Sequence, residues 1–413
     1  MQKNINILHL AHRFPYPPDK GDRIRTFHIL RFLQQRANVH LACLSDEPTT
    51  PETVNALRDH CERLAVIPQG AFTRWPNALG AFLRGRTVTE GAFHSRTLQQ
   101  TLGDWGRETR FDAIVVSASG MIPYLQIESL RDIPVVIDLV DVDSQKWLDY
   151  ARAKPWPWSW LYRTEGRRLR RLENRLPPQT KAVILVSEPE ADLYRTVNTT
   201  NNVQAVTNGV DLDYFTEPNP PKEEVACVFV GALDYFPNVD AAVWFCREVW
   251  PEIHRTHGDA KFYLVGRRPV PAVSALAKIP GVEVIGGVSD VRPYLLRSAI
   301  SVNPLRIARG LQNKVLEAMA MRKAVIASPA ATVALRAEHN THLLKADSPC
   351  EWIEAVSGLL TDADCRRRLG NAGRHFVEQN HVWDVCLSPL TDLLGLASAD
   401  NRPSDERQHL VTI

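Results

Sequence analysis

No C-x-x-C pair occurs in the 413 residues, and the seven cysteines are scattered and odd in number. That pattern argues against a zinc site and a disulfide frame, and for reduced thiols in a cytoplasm. No apolar run approaches the length of a membrane span. The formal net charge is only +2, too small to call for a nucleic-acid partner. The first residues are not expected to be a cleavable leader. The first apolar stretch, around Ile5, Ile7 and Leu10, is short and runs into His12, Arg13 and a proline turn rather than a cleavage site. It reads as the first strand of a fold.

What is present is ordinary soluble-protein composition, 44% hydrophobic and 23% charged. The length exceeds one ordinary hydrophobic core, so two domains are the default. Strand-like runs fall at 5–11, 39–45, 113–117, 135–139 and 182–186, with helical patterns such as 24–36 and 98–107 between them. A turn at Asn208-Gly209-Val210-Asp211 and a proline-rich stretch, Glu217 to Lys222, then interrupt the chain. Beyond them the pattern restarts. Strands are expected at 225–230, 261–265, 282–285, 299–302 and 324–327, and helices at 239–254, 291–296, 314–321 and 352–360. Strands alternating with helices mean parallel sheets covered on both faces. Ligands bind such sheets outside the carboxyl ends of the strands, and two domains facing each other would place a cleft between them.

The stretch Arg309-Gly310-Leu311-Gln312-Asn313-Lys314-Val315-Leu316-Glu317 carries the most chemistry. It follows an apolar run and opens a helix. Unpaired N–H groups and a partial positive charge at a helix start favour phosphate. Lys314 lies at that start, and a lysine there can neutralise a diphosphate. Glu317 comes a turn later, within reach of hydroxyls on the same ligand. A nucleotide-sugar site fits this arrangement. So does a plain strand–loop–helix unit with a surface lysine, and the stretch alone weighs the two evenly.

Further motifs carry a resemblance. They are Val230-Gly231 followed by Pro237-Asn238, Val265-Gly266-Arg267, Gly286-Gly287-Val288-Ser289-Asp290 and Lys314 to Ala320, with Asn208 to Asp211 ahead of them. The first half adds Pro15 to Arg23, a glycine-bearing loop, and Asp138 to Trp147. In order and spacing the set resembles the GT-B glycosyltransferases, glycosyltransferase family 4, and a bacterial subgroup associated with exopolysaccharide loci. The resemblance covers nearly the whole chain. It implies an α/β fold of two doubly wound, Rossmann-like parallel-sheet domains facing a central cleft. Residues 1–215 would form the acceptor-side domain, 216–224 a linker and 225–380 the nucleotide-sugar domain. Residues 381–397 would return as a helix to the first domain, and 398–413 would be a loose tail.

The family usually has two glutamates eight positions apart; here the second is Glu317 and Arg309 holds the first position. The family's Arg and Lys after the first strand of the second domain are replaced by Asp234 and Tyr235. Positive charge for the diphosphate is therefore assigned to Lys314, with Arg267 and Arg23 behind it. The N–H groups of Gly310 to Asn313 and of Gly21 complete the cradle, and Gly231 borders it. Fixed cations and N–H groups stabilise a leaving diphosphate without a metal, so no metal or cofactor is expected. The resemblance implies retention of anomeric configuration, with the leaving phosphate helping to deprotonate the acceptor. Arg309 reads equally as a phosphate contact or as a surface arginine. Asn313 reads as a ligand contact or a cap.

Asp138, Asp141 and Asp143 lie just past a strand's carboxyl end. A carboxylate there could orient or deprotonate an acceptor hydroxyl, and Asp141 and then Asp143 are the choices. Capping the following helix explains at least one of the three. His9 and His12 flank the end of the first strand; either could touch a ligand, but a lone histidine is more often a packing or hydrogen-bonding residue. The run Trp156-Pro157-Trp158-Ser159-Trp160 leads into a helix rich in arginine. Aromatics beside arginines suit a membrane interface and an acceptor carried on lipid. A packed stripe of Tyr162, Leu169, Leu172 and Leu176 with a solvated arginine face is the preferred reading, and Glu165 and Glu173 weaken a polybasic one.

The expected function is transfer of a sugar from a nucleotide-diphosphate sugar to a growing polysaccharide or lipid-linked glycan, in the cytoplasm or at the inner face of its membrane. The rivals are a nucleotide-sugar 2-epimerase on the same fold and a non-catalytic nucleotide-sugar-binding protein.

Overall fold

The computed structural model describes residues 5–19, 21–198, 202–216 and 221–396. The expected tail, 398–413, lies outside them, as do residues 217–220 of the expected linker. The chain divides into two units. One holds the described residues up to Val206 and again from Leu387; the other is Thr207–Cys386.

In the first unit the strands are β1 (Asn6–Ala11), β2 (Asn38–Ser45), β3 (Arg63–Pro68), β4 (Ala113–Ser117), β5 (Val135–Val140), β6 (Thr180–Leu185) and β7 (Val203–Ala205). They form one parallel sheet in the order β3-β2-β1-β4-β5-β6-β7. The order reverses between β1 and β4. Such a strand is buried on both faces and so reads as an unbroken apolar run; Ala113–Ser117 is buried at every residue. Leu8, Leu10, Ile114, Val116, Ile137 and Leu185 share the core.

In the second unit the strands are β8 (Glu224–Val230), β9 (Lys261–Val265), β10 (Val282–Gly286), β11 (Ser298–Asn303), β12 (Ala324–Ala327) and β13 (Leu344–Lys345). Their parallel sheet runs β10-β9-β8-β11-β12-β13, reversing between β8 and β11. Phe245, Trp250 and Phe262 fill the core beside β9, and Trp352 packs edge-on against Phe245. Each such side chain is worth about 1.5–3 kcal/mol on burial.

Ten expected strands are present. The helix expected over 239–254 is two, Phe236–Glu248 and Trp250–Thr256. Pro251 lacks the N–H that would continue the first helix and sits instead in the opening turn of the second. Among the described residues no helix is long and apolar enough to cross a membrane.

Candidate active site

In the second unit, Asn303 ends β11 and Pro304 follows, without a backbone donor to continue the ladder. The loop returns through Gly310 at φ +60°, and Gln312 Nε2 donates to the Arg309 carbonyl at 2.9 Å. The helix Asn313–Ala320 then begins with no side-chain cap. Val315 N donates back to the Gln312 carbonyl at 3.0 Å, and no side chain caps the turn ahead of it. Val315, Leu316, Ala318 and Met319 turn inward. Lys314 and Glu317, three apart and on one face, are half-buried.

Lys314 Nζ donates to Asn238 Oδ1 at 2.6 Å and stands 4.7 Å from the Phe229 ring centroid. Asn238 lies in the first turn of Phe236–Glu248, after β8, and its amide donates to the Ala232 carbonyl at 2.9 Å. A Cβ on Gly231 would come 2.9 Å from Lys314 Nζ and 2.8 Å from Asn238 Nδ2. A side chain at 231 would have to push the ammonium and the Asn238 amide aside. Burial pushes the Lys314 amine down to about 7 against the attraction of Glu317. Burial likewise pushes the Glu317 carboxyl up to about 7, against the attraction of Lys314. Among the described residues nothing hydrogen-bonds to the Glu317 carboxylate. Lys314 and Gly231 thus meet at the carboxyl ends of β11 and β8, where the strand order reverses. This is the place at which doubly wound sheets hold ligands.

Arg309 and Gly310 lie in the same loop, with Arg309 partly exposed. Asn313 Oδ1 accepts from Asn208 Nδ2 at 3.1 Å, which ties the turn at Asn208 to the helix start. Arg267 follows β9, is half-exposed, and accepts from Leu233 N at its carbonyl. Asn238 is the member that sequence reasoning did not assign. Its signal was the Pro-Asn pair opening a helix just past a strand that ends in glycine.

Gly21 and Arg23 belong to the first unit. Gly21 opens the helix Gly21–Gln34 with open space about its α-carbon. The Arg23 guanidinium donates to Glu47 at 2.7 Å and to Asp19 at 3.3 Å and is nearly buried. Asp22 beside it meets Arg13 at 2.8 Å and His12 at 3.4 Å. Burial would raise the Asp22 carboxyl, but His12 and Arg13 outweigh it and hold it well below the usual range. His9 is fully buried, its Nε2 3.0 Å from Ser117 Oγ, and burial lowers it to about 4. It is buried and hydrogen-bonded within the first unit.

Asp138 lies within β5 and Asp141 and Asp143 just after it, and they have separate partners. Asp138 accepts from Arg25 Nε at 2.7 Å in a fully buried ion pair. Asp143 accepts from Ser119 Oγ at 2.5 Å. Asp141 is half-buried, and with Asp143 it acts on Lys146. Burial would lower the Lys146 ammonium, but these two carboxylates outweigh it and hold it above the usual value. The N-cap of the helix Asp143–Ala153 is Val142, which makes no side-chain cap bond. Glu190 takes the Val142 N–H at 2.9 Å, and Glu173 takes the Ser144 N–H and hydroxyl at 2.9 and 2.5 Å. Those distant carboxylates thus take donors at the start of this helix.

The backbone there is strained. Ala118 after β4 has φ +82° and Val140 at the end of β5 has φ +67°. L-residues rarely adopt either value, and for β-branched Val140 it is a genuine outlier. Such strain persists only where the surroundings over-determine it, and it gathers at functional sites. Here Ala118 N donates to the Asp138 carbonyl and Val140 N to its carboxylate. Among the described residues no group of three His, Cys, Asp or Glu could hold a metal ion.

Comparison with known proteins places both units. Over 95% of its length the chain matches 99% of HepE from Anabaena, solved with UDP and glucose, at TM-score 0.66 and 14% identity. The chain has the GT-B fold. Sucrose-phosphate synthase from Thermosynechococcus elongatus shares this GT-B architecture at TM-score 0.67 and 15% identity, over 94% of this chain and 98% of that one. Residues 224–362 match the family model described as Glycosyl transferases group 1. The glycosyltransferase 1 domain-containing protein 1 of Xenopus tropicalis is 27% identical over 148 residues, which is 34% of this chain and 43% of that protein. The match thus spans less than half of that relative. It is the second GT-B domain, holding Gly231, Asn238, Lys314 and Glu317, that resembles group 1 glycosyltransferases in sequence.

Proposed function

We propose that the protein is a retaining glycosyltransferase. It moves a sugar from a nucleotide-diphosphate sugar to a growing polysaccharide or a lipid-linked glycan, in a bacterial exopolysaccharide-type reaction on the cytoplasmic side. The observation that carries this is the Lys314–Glu317 pair at the β8/β11 switch point, within the stretch that matches group 1 glycosyltransferases. Lys314 and the uncapped N–H groups of its helix face the diphosphate. They stabilise the charge that leaves on it, as fixed donors do in a site shielded from water. Glu317 accepts from hydroxyls of the donor sugar. HepE was solved with UDP and glucose, so uridine donors are the first to try. Arg267 and Arg309 contribute further positive charge at the donor.

In the first unit Asp141 orients the acceptor hydroxyl, with Asp143 and Lys146 holding its environment. No enzymic nucleophile and no metal is called for. The residues 1–215 serve the acceptor and 225–380 the donor, and 381–397 return to the first domain. A lipid-linked acceptor would bring the protein to the inner face of the cytoplasmic membrane.

The test is incubation with a panel of radiolabelled nucleotide sugars and with glycan and lipid-linked acceptors. Labelled product of retained configuration supports the proposal. Epimerised donor, or binding with neither hydrolysis nor transfer, would replace it with the corresponding rival.

A further inference from the structure

The helix Ala71–Leu83 is inside out. Its inward residues are Ala78 and Ala81, seated where a Cβ on Gly91 would fall 2.6 Å from the Ala81 Cβ and 2.7 Å from the Ala78 Cα. Its outward residues are Phe72, Trp75, Leu79 and Leu83, 96%, 69%, 60% and 76% exposed. Their spacing puts all four on one stripe of a 3.6-residue helix. A soluble helix turns such a stripe to the core.

A second exposed cluster joins it. Trp156, Trp158 and Trp160 stand out at the start of the helix Trp158–Asn174, and Trp156 is 79% exposed. The Trp160 ring meets the Phe82 ring edge-on at 5.9 Å, and Arg168 donates to the Phe82 and Arg86 carbonyls at 2.8 Å. The two helices therefore present one continuous apolar face. A contiguous run of exposed large apolar side chains marks an interaction site.

The exposed charge of the helix Trp158–Asn174 has one sign. Arg163, Arg167 and Arg171 follow Trp160 on its own stripe of the helix, and all three are exposed. The two glutamates that weakened a polybasic reading are turned inward. Glu165 is buried and accepts from the Val88 and Thr89 N–H groups at 2.6 and 2.9 Å, and Glu173 is buried against Ser144. A row of arginines beside tryptophans, with the acids removed to the interior, matches the headgroup level of an anionic bilayer. The rings lie among the acyl-chain ends and the guanidiniums among phosphates.

We propose that Phe72, Trp75, Leu79, Leu83, Trp156 and Trp160, with the arginine row 163–167–171, dock the first unit on an anionic phospholipid surface. The helices lie in the interface and do not cross it. The docking deepens the acceptor half of the proposed function and rests on that reading only for the choice of a lipid-borne acceptor. Vesicle binding needs neither donor nor turnover, so the two ideas fail separately.

The experiment is sedimentation of the full chain with vesicles of phosphatidylcholine alone and of phosphatidylcholine mixed with phosphatidylglycerol. Binding to the mixed vesicles that weakens with salt is expected. The triple variant R163Q/R167Q/R171Q should partition less by on the order of a hundredfold, at about tenfold or less per charge. The double variant W75S/L79S should lose at least about tenfold, because it removes apolar area that enters the interface. Both variants alter outward side chains, and an unchanged circular dichroism melt confirms their fold. No binding to either vesicle, or binding that neither variant reduces, overturns the proposal. So does self-association by analytical ultracentrifugation that W75S/L79S abolishes while vesicle binding is absent, since the patch would then cover a second copy of the chain.

Discussion

Lys314 Nζ donates to Asn238 Oδ1 at 2.6 Å, which joins the first turn of the helix after β11 to the first turn of the helix after β8. These are the two strands between which the order of the second sheet reverses. Asn238 offers the ammonium a dipole and not a counter-charge, and Glu317, its charged neighbour, is itself pushed toward neutrality. The cation is desolvated and only partly compensated, the state in which an arriving diphosphate gains most from it.

Replacing Lys314 tests that directly. Lys314→Met should weaken binding of uridine diphosphate by about 2 kcal/mol, the usual worth of a hydrogen bond to a charged group. Thermal stability should hold or rise, because the variant removes a partly desolvated charge. Calorimetric titration measures the first and a melting curve the second. Affinity equal to the parent's would take Lys314 out of the donor site.

Glu317 is assigned to the sugar, so its loss should be selective. Glu317→Ala should cost the nucleotide sugar about 1.5–3 kcal/mol of binding while leaving the free nucleoside diphosphate nearly unchanged. Competition titrations with the two ligands give the difference. Equal losses for both would mean that Glu317 acts on the phosphates or on the fold.

The pairing of Lys314 with Glu317 was legible because both sit in one short helix, and spacing alone puts them on one face. Asn238 was not. Its contact depends on β8 lying beside β11, and two strands, β9 and β10, separate these in the chain. Both parallel sheets were legible from strand–helix alternation, whereas β7 and β13 are too short to give a period. β3 carries Arg63 and Pro68 and is half-exposed, so it shows no buried run. Capping by Glu173 and Glu190 was hidden for the same reason as Asn238: the partners come from other helices. The stripe of Phe72, Trp75, Leu79 and Leu83 has the period of a core face, and only the fold shows it turned outward.

The first unit gives a prediction about turnover. Asp141→Asn should lower kcat by at least about a hundredfold, the usual effect of losing a positioned acid or base, with donor affinity kept. Asp143→Asn should act more weakly, because Ser119 Oγ still has an acceptor there. Single-turnover kinetics at saturating donor separates the steps. Parental turnover in Asp141→Asn would confine that residue to a structural role.

The Arg25–Asp138 pair should matter to folding. Both side chains are 1% exposed, and Arg25 also donates to the Val206 carbonyl at 2.8 Å. Removing one partner leaves the other charge buried alone, at a cost of about 3–5 kcal/mol. Arg25→Met should therefore destabilise the first unit by that amount in urea unfolding. The double variant Arg25→Met with Asp138→Leu should recover much of it, because no lone charge remains. A double variant no more stable than the single one would show that the pair is held by something other than mutual neutralisation.

The lowered Lys314 amine also makes donor binding depend on pH. With its value near 7, much of the lysine is neutral at about pH 8 in the free protein. A diphosphate favours the charged form and raises the value, so binding above about pH 7 must take up a proton. Glu317, held up to about 7 by burial, is pulled both ways, because the added anion disfavours its ionisation and the sugar hydroxyls it accepts from favour it, so Lys314 sets the sign. A nucleotide sugar is the ligand to use, because its diphosphate has no group that titrates near neutrality. Calorimetry at about pH 8 in buffers of different ionisation enthalpy should report proton uptake. The uptake should fade toward about pH 5.5, where both groups are already protonated. Affinity should fall as pH rises above 7, and Lys314→Met should remove most of that slope. Proton release at about pH 8, or a slope that survives in Lys314→Met, would place the titrating group elsewhere.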